Sequence, residues 1–130
     1  MPALGLRAGQ VVIDATNAVR IAVPGGHPTM GDLVASLVPE GVGVAKAFNT
    51  IGAEHLSGGR IDGLRVFLPV AGDPEAVDVV RDLGEALEFD VAVVGDRSAF
   101  DLVEAHARLW IQLAFGSGWG RSFGFAAIGR

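Results

Sequence analysis

Two short stretches carry the side chains with most scope for chemistry: Asp14-Ala15-Thr16-Asn17 and Phe48-Asn49-Thr50-Ile51-Gly52-Ala53. Each follows an apolar run, "VVI" in the first case and "VGVA" in the second, and each turns polar where that run ends. Asn and Thr at strand ends can simply be turn-forming side chains. They can also line a crevice and offer amide and hydroxyl groups to a polar, planar ligand, because ligands of open α/β sheets sit beyond the carboxyl ends of parallel strands. Both readings remain open on these residues alone.

Other chemistry finds less support. His27, His55 and His106 are scattered over a Gly/Pro loop, a strand exit and a final helix, and no pair has the spacing of a metal-binding motif. No GxSxG elbow is present for a serine hydrolase. The chain has no Cys, which removes disulfides, thiolate catalysis and Cys-based zinc sites together. "GSGWGRSFG" near the end looks like a dinucleotide fingerprint, but it follows a predicted helix where that motif needs strand, turn and helix in succession.

The elements that must position the two exits are legible. At 130 residues and 50% hydrophobic composition the chain is about one domain with a real core, expected to span 1–130 without an internal linker. A net charge of −5, dispersed along the sequence, argues against a nucleic-acid partner. No apolar run approaches the roughly 20 residues that span a bilayer, and the first ten residues carry no export pattern, so a cytoplasmic protein is expected. Nine of the ten basic residues are Arg, Lys46 being the exception, which reads as bacterial GC-rich coding.

Hydrophobic period predicts strands over about 11–16, 43–49, 65–71 and 90–94, and helices over about 29–38, 74–87 and 98–115. Thr29 with Asp32 makes a capping box, and Asp73 before Pro74 reads as a side-chain cap. Ala76, Val80, Leu83 and Leu87 form one expected helical face; Phe100, Val103, Ala107, Ile111 and Ala114 form another. "LSGGRIDG" reads as a loop. Alternating strands and helices give an α/β class with a largely buried sheet. Strands 11–16 and 43–49 are expected as parallel neighbours whose exits share one crevice.

"VVIDATNAV", "VAKAFNTIGAEHL", "VFLPVAGDPEAVDVVRDLGEALEFD" and "ARLWIQLAFGSGWGRSFGF" together resemble the NADPH-dependent coenzyme F420 reductase family, dinucleotide-binding enzymes related to the cytosolic domain of six-transmembrane metalloreductases. The similarity covers nearly the whole chain but only the family's C-terminal portion. It implies a partial Rossmann-like, doubly wound sheet with a C-terminal helix, lacking the N-terminal βαβ half with its pyrophosphate-binding loop. The family transfers hydride between NADP(H) and the deazaflavin F420, with a flavin as another conceivable acceptor here. Both electron carriers are cofactors, so the protein supplies orientation and excludes water.

Carried over by position, the resemblance implies that Thr16, Asn17 and Ala18 lie beside the two rings, with Ala18 standing where the family usually has Pro. Phe48, Asn49 and Thr50 match the second exit near the nicotinamide, and Ala53 matches a residue whose backbone N–H holds the carboxamide. Asp96-Arg97-Ser98 replaces the family's Gly-Pro-Leu before the last helix. Trp110, Phe115, Trp119, Phe123 and Phe125 are expected in the core or a subunit contact rather than around a cofactor. The expectation is an oxidoreductase-type chain, truncated and inactive by itself and prone to homo-oligomerise through the apolar "VVID" edge. The alternative is a non-catalytic remnant serving as an interaction module.

Overall fold

A computed structural model describes residues 4–130. Four strands form one mixed sheet in the order β1 (Val11–Asp14), β2 (Gly43–Lys46), β5 (Phe67–Gly72), β6 (Asp90–Gly95). Between β2 and β5 a second, two-stranded sheet pairs β3 (Arg60–Ile61) with β4 (Leu64–Arg65). The helices are α1 (Met30–Leu37), α2 (Pro74–Ala86) and α3 (Phe100–Ile111), the last continuing into a wide turn over Gln112–Gly116.

β1 and β2 are parallel, with Val11 opposite Gly43 and Asp14 opposite Lys46, so their exits leave from the same edge of the sheet. β5 runs antiparallel to β2 through Ala45–Gly72 and Lys46–Ala71, and β6 is parallel to β5. The sheet is therefore mixed, a partial Rossmann-like arrangement with helices on both faces. On one face Ala76, Val77 and Val80 of α2 pack with Ala45, Leu68, Val70 and Phe89; on the other, Val34 of α1 and Phe100 and Val103 of α3 pack with Val44 and Ala71. Among the described residues no helix is long and apolar enough to cross a membrane.

Several expectations change in detail. The "LSGGRIDG" loop holds β3 and the turn of a hairpin whose second strand, β4, follows directly; Asp62 and Gly63 make the turn, both at positive φ (52° and 79°). That is the Asp-Gly chemistry of a tight two-residue hairpin. In α2 the buried residues are Ala76, Val77, Val80 and Gly84, while Leu83 is exposed. The predicted face is thus shifted round the helix.

Asp73 begins α2 but makes no side-chain cap. Its carboxylate accepts the Val44 N–H at 2.8 Å and a fork of two Arg97 bonds at 2.8 and 2.6 Å. The carboxylate is drawn to Arg97 and β2 because a bidentate fork pairs two opposite charges, which a neutral helix-end amide does not. Gly72 beside it has φ 148°, and a Cβ there would stand 2.2 Å from the Val44 carbonyl oxygen. The "AGD" sequence is thus the seam where two strands of opposite direction touch.

Candidate functional site

The site is built on a buried lysine. Lys46, the last residue of β2, is fully buried, and its Nζ lies 2.9 Å from Asp14 Oδ2 and 3.2 Å from Glu104 Oε2. It also donates to the Thr16 carbonyl oxygen. The ammonium thus makes two hydrogen bonds, to Asp14 and the Thr16 carbonyl, and an ion pair with Glu104. Two carboxylates against one ammonium leave a surplus negative charge, which faces the amino end of α1. There Glu104 accepts the Met30 and Gly31 N–H groups at 3.0 and 2.9 Å, and Thr29 accepts the Asp32 N–H at 3.0 Å. These bonds satisfy the first orphan donors of the helix and set its positive end against the carboxylate.

The same lysine fixes the first strand exit. Asp14 Oδ1 accepts from the Thr16 N–H at 2.9 Å and the Thr16 hydroxyl at 2.7 Å, closing a tight turn. Past that turn, Asn17 Nδ2 donates to the Asn49 carbonyl at 2.8 Å, and Asn49 Nδ2 donates to Asn17 Oδ1 at 3.1 Å. The two exits are therefore zipped together by two hydrogen bonds from side-chain amides.

Three buried side-chain atoms find no partner among the described residues: Asn49 Oδ1, Thr50 Oγ1 and His55 Nε2. They fall in one short stretch after β2. Buried polar groups are nearly always paired, so orphans concentrated in one place mark groups that a ligand or water would satisfy. An amide oxygen and a hydroxyl match the amino and carbonyl groups of a carboxamide. The ring end of a nicotinamide cofactor fits this donor and acceptor set. No strand-to-helix connection among the described residues carries a GxGxxG run to hold a pyrophosphate: β1 reaches α1 through Pro24-Gly25-Gly26, and β5 reaches α2 directly at Asp73; "GSGWGRSFG" follows α3.

Beside the zipped exits opens a cleft of about 720 Å³. Asn17, Ala18, Val19 and Arg20 make one wall; Glu104, Arg108, Ile111 and Phe115 of the α3 arm make the other. Of the seven residues singled out in the sequence, Asn17 and Ala18 line it. Thr16 is exposed in the turn above it. Asn49 and Thr50 are buried behind it, and Phe48, at φ 61°, meets Phe89 edge-to-face at 6.0 Å. Ala53 is exposed and opens a short turn, where its carbonyl accepts the Leu56 N–H.

The C-terminal aromatics divide between core and cleft. Trp110 is buried, stacks on Phe123 at 5.2 Å and donates to the Phe123 carbonyl, yet with the exposed Phe115 it also lines the cleft. Arg121 holds Glu54 through two bonds of 3.2 and 3.0 Å and lies 5.9 Å over the Phe115 ring. That guanidinium holds the Glu54 carboxyl down at about 2. Asp96-Arg97-Ser98 lies outside the cleft: Asp96 caps the Ser98 N–H and Arg97 is committed to Asp73. Lys46, Glu104, Arg20 and Arg108 were not picked out in the sequence. The one available signal was a lone Lys ending an apolar strand, since such a residue must find acids when buried.

No protein-family model matches the chain, and no curated protein matches it. Among solved structures it is similar to a candidate F420-dependent NADP reductase from Arthrobacter sp. FB24. The TM-score is 0.76 and the identity 25%, over 92% of this chain and 58% of that one. A hypothetical protein from Sinorhizobium meliloti is 31% identical with a TM-score of 0.61, over 71% of this chain and 47% of that one. This chain thus spans less than two thirds of either protein. The resemblance to F420-dependent NADP reductases carried by the sequence motifs is present in the fold as well, consistent with the family's C-terminal portion.

Proposed function

We propose that these residues form the ring-binding end of an oxidoreductase that passes hydride between NADP(H) and a deazaflavin or flavin acceptor. The observation that carries this reading is the Asn17–Asn49 zipper with the orphaned Asn49 Oδ1 and Thr50 Oγ1 beside it. The nicotinamide would lie on the Asn49–Thr50 side, its carboxamide meeting those two atoms, with the acceptor ring in the cleft on the far side of Asn17. The two cofactors supply the redox chemistry. The protein's part is to hold Asn17 and Asn49 together, keep the Thr16 turn in place through Lys46, and wall off water with the α3 arm. Lys46 is sealed between Asp14, Glu104 and the Thr16 carbonyl and acts through position alone. A cytoplasmic site of action goes with this reading.

The pyrophosphate would then be held by polypeptide outside these residues. The surviving ring-end groups offer a few hydrogen bonds worth about 0.5–1.5 kcal/mol each. Association costs an estimated 4 kcal/mol or more, so they hold NADPH no tighter than about millimolar. Calorimetry with NADPH and the absorbance of F420 test this on residues 1–130 and on a form extended upstream to the length of the Arthrobacter protein. We expect weak binding and no turnover from the first, and micromolar binding with F420 reduction from the second. Micromolar NADPH binding by 1–130 alone would put the cofactor site elsewhere. An extended form that self-associates but neither binds nor reduces would favour a non-catalytic interaction module.

A further inference from the structure

We propose that the Arg121–Glu54 fork is a clasp: it fastens the segment Gly52–Gly58 to the C-terminal tail, and its release uncovers the unpartnered side chains that follow β2. This deepens the proposed function and rests on it in one respect, that those side chains are the ones a ligand meets. Thr50 is 1% exposed and Asn49 5%, and Asn49 Oδ1, Thr50 Oγ1 and His55 Nε2 are all sealed from solvent. No ligand reaches a sealed atom unless the chain around it moves. Asn49 is tied to Asn17 by two hydrogen bonds. The motion therefore falls to the segment beyond it, which contains His55 itself.

Little fastens that segment. Among the described residues its backbone bonds are internal: the His55 N–H to the Gly52 carbonyl at 3.0 Å, Leu56 to Ala53 at 3.2 Å, and Gly58 to His55 at 3.3 Å. Leu56 packs, partly buried, against the core. The hydrogen bonds to another element come from Glu54, which accepts from Arg121 Nε at 3.2 Å and Nη2 at 3.0 Å. Arg121 stands on firmer ground. Gly118 and Gly120, at φ 76° and 74°, turn the tail back against the end of α3. There the Trp119 and Gly120 N–H groups bond the Leu113 and Ala114 carbonyls at 3.0 Å, and Trp110 Nε1 donates to the Phe123 carbonyl at 3.0 Å. The tail is the anchored half of the clasp, and the segment is the half that moves. Glu54 also folds over Gly52, where an added Cβ would stand 2.8 Å from Oε1. Glycine at 52 thus leaves the carboxylate room to reach Arg121. A gate has to open, and a fork between side chains nearly half exposed is weak where the sealed Lys46–Asp14 pair is not.

Amide hydrogen exchange on residues 1–130, read at His55, Leu56 and Gly58, tests this. Arg121→Gln removes the fork, and Gly52→Ala displaces the carboxylate without touching either charge. In each variant these amides should exchange about two- to fivefold faster, the range for an exposed ion pair. Diethyl pyrocarbonate should modify His55 faster by the same factor, because the same motion uncovers its Nε2. The Leu68 and Val70 amides of β5 should be unchanged. Arg130→Gln, which breaks the tail's ion pair with Asp90, should leave the segment as it was. Unchanged exchange in either clasp variant, equal acceleration in β5 or in Arg130→Gln, or faster exchange with His55 no more reactive would overturn the inference. A segment that responds as described, in a protein whose upstream-extended form binds no NADPH, would count against the hydride reading alone. NADPH binding by that form with an unresponsive segment would count against the clasp alone.

Discussion

Lys46 and Asp14, the last residues of two parallel strands, form an ion pair of 2.9 Å with both side chains essentially sealed from solvent. A buried pair adds little over an apolar replacement of both partners, but losing one partner leaves an uncompensated charge. Here the loss would strand two carboxylates, Asp14 and Glu104, and release the Thr16 carbonyl as well. Lys46→Met should therefore destabilise the protein by about 3–5 kcal/mol. Urea unfolding measures it; a cost below about 1 kcal/mol would mean that the triad is not formed.

Asn49→Ala separates positioning from capture. It removes the Asn17 bond and the unpartnered amide oxygen, and touches nothing that would grip a phosphate. In the extended enzyme the turnover number should fall by about 10²-fold, the loss that a misplacement of about 1 Å produces. NADPH affinity should change much less. Steady-state kinetics with direct NADPH titration decide the point, and an equal loss in both quantities would contradict it.

Gly72→Ala tests the seam between β2 and β5. The new methyl would collide with the Val44 carbonyl oxygen, at a φ that side chains rarely adopt. A loss of at least about 2 kcal/mol is expected. Gly58, with open space around its Cβ position and no positive φ, is the control, and Gly58→Ala should leave the thermal midpoint nearly unchanged.

His106 gives stability a pH dependence. It lies between Phe67 and Phe125, at 5.5 and 5.0 Å between ring centres, and burial lowers its pKa below the ordinary 6.5. The folded state thus holds the imidazole neutral to a lower pH than the unfolded state does. The contribution is complete above about pH 6.5 and is lost as the pH falls from there through the lowered folded value. Unfolding of wild type and His106→Leu at about pH 7.5 and about pH 5.5 should show a steeper fall for the wild type. Parallel falls would refute it.

β1 pairs with β2 on one side, and no strand pairs with its other side among the described residues. Val11, Val12 and Ile13 are half-buried along that edge. Open apolar edges invite pairing between chains, so residues 1–130 should self-associate at micromolar concentration, and Val12→Lys should reduce it. Sedimentation equilibrium would show this. A wild-type monomer would count against the edge as an interface.

What the amino-acid order settled by itself is whatever depends on neighbours in sequence. The alternation of apolar runs with helical periods located all four main strands and three helices. Thr29 with Asp32 located the start of α1, because a cap and its partner amide lie within one turn. The exits at Asn17 and Asn49 were visible as polar residues ending apolar strands, and the parallel pairing brings them into contact. Tertiary structure decided the rest, wherever a side chain chose between a local partner and a distant one. Asp73 left its own helix for Val44 and Arg97, because two guanidinium bonds outweigh a helix cap. Lys46 became the centre of the site only when packing of α3 brought Glu104 to it. A buried ammonium must be neutralised by whichever acids the fold delivers, and no local pattern says which those will be.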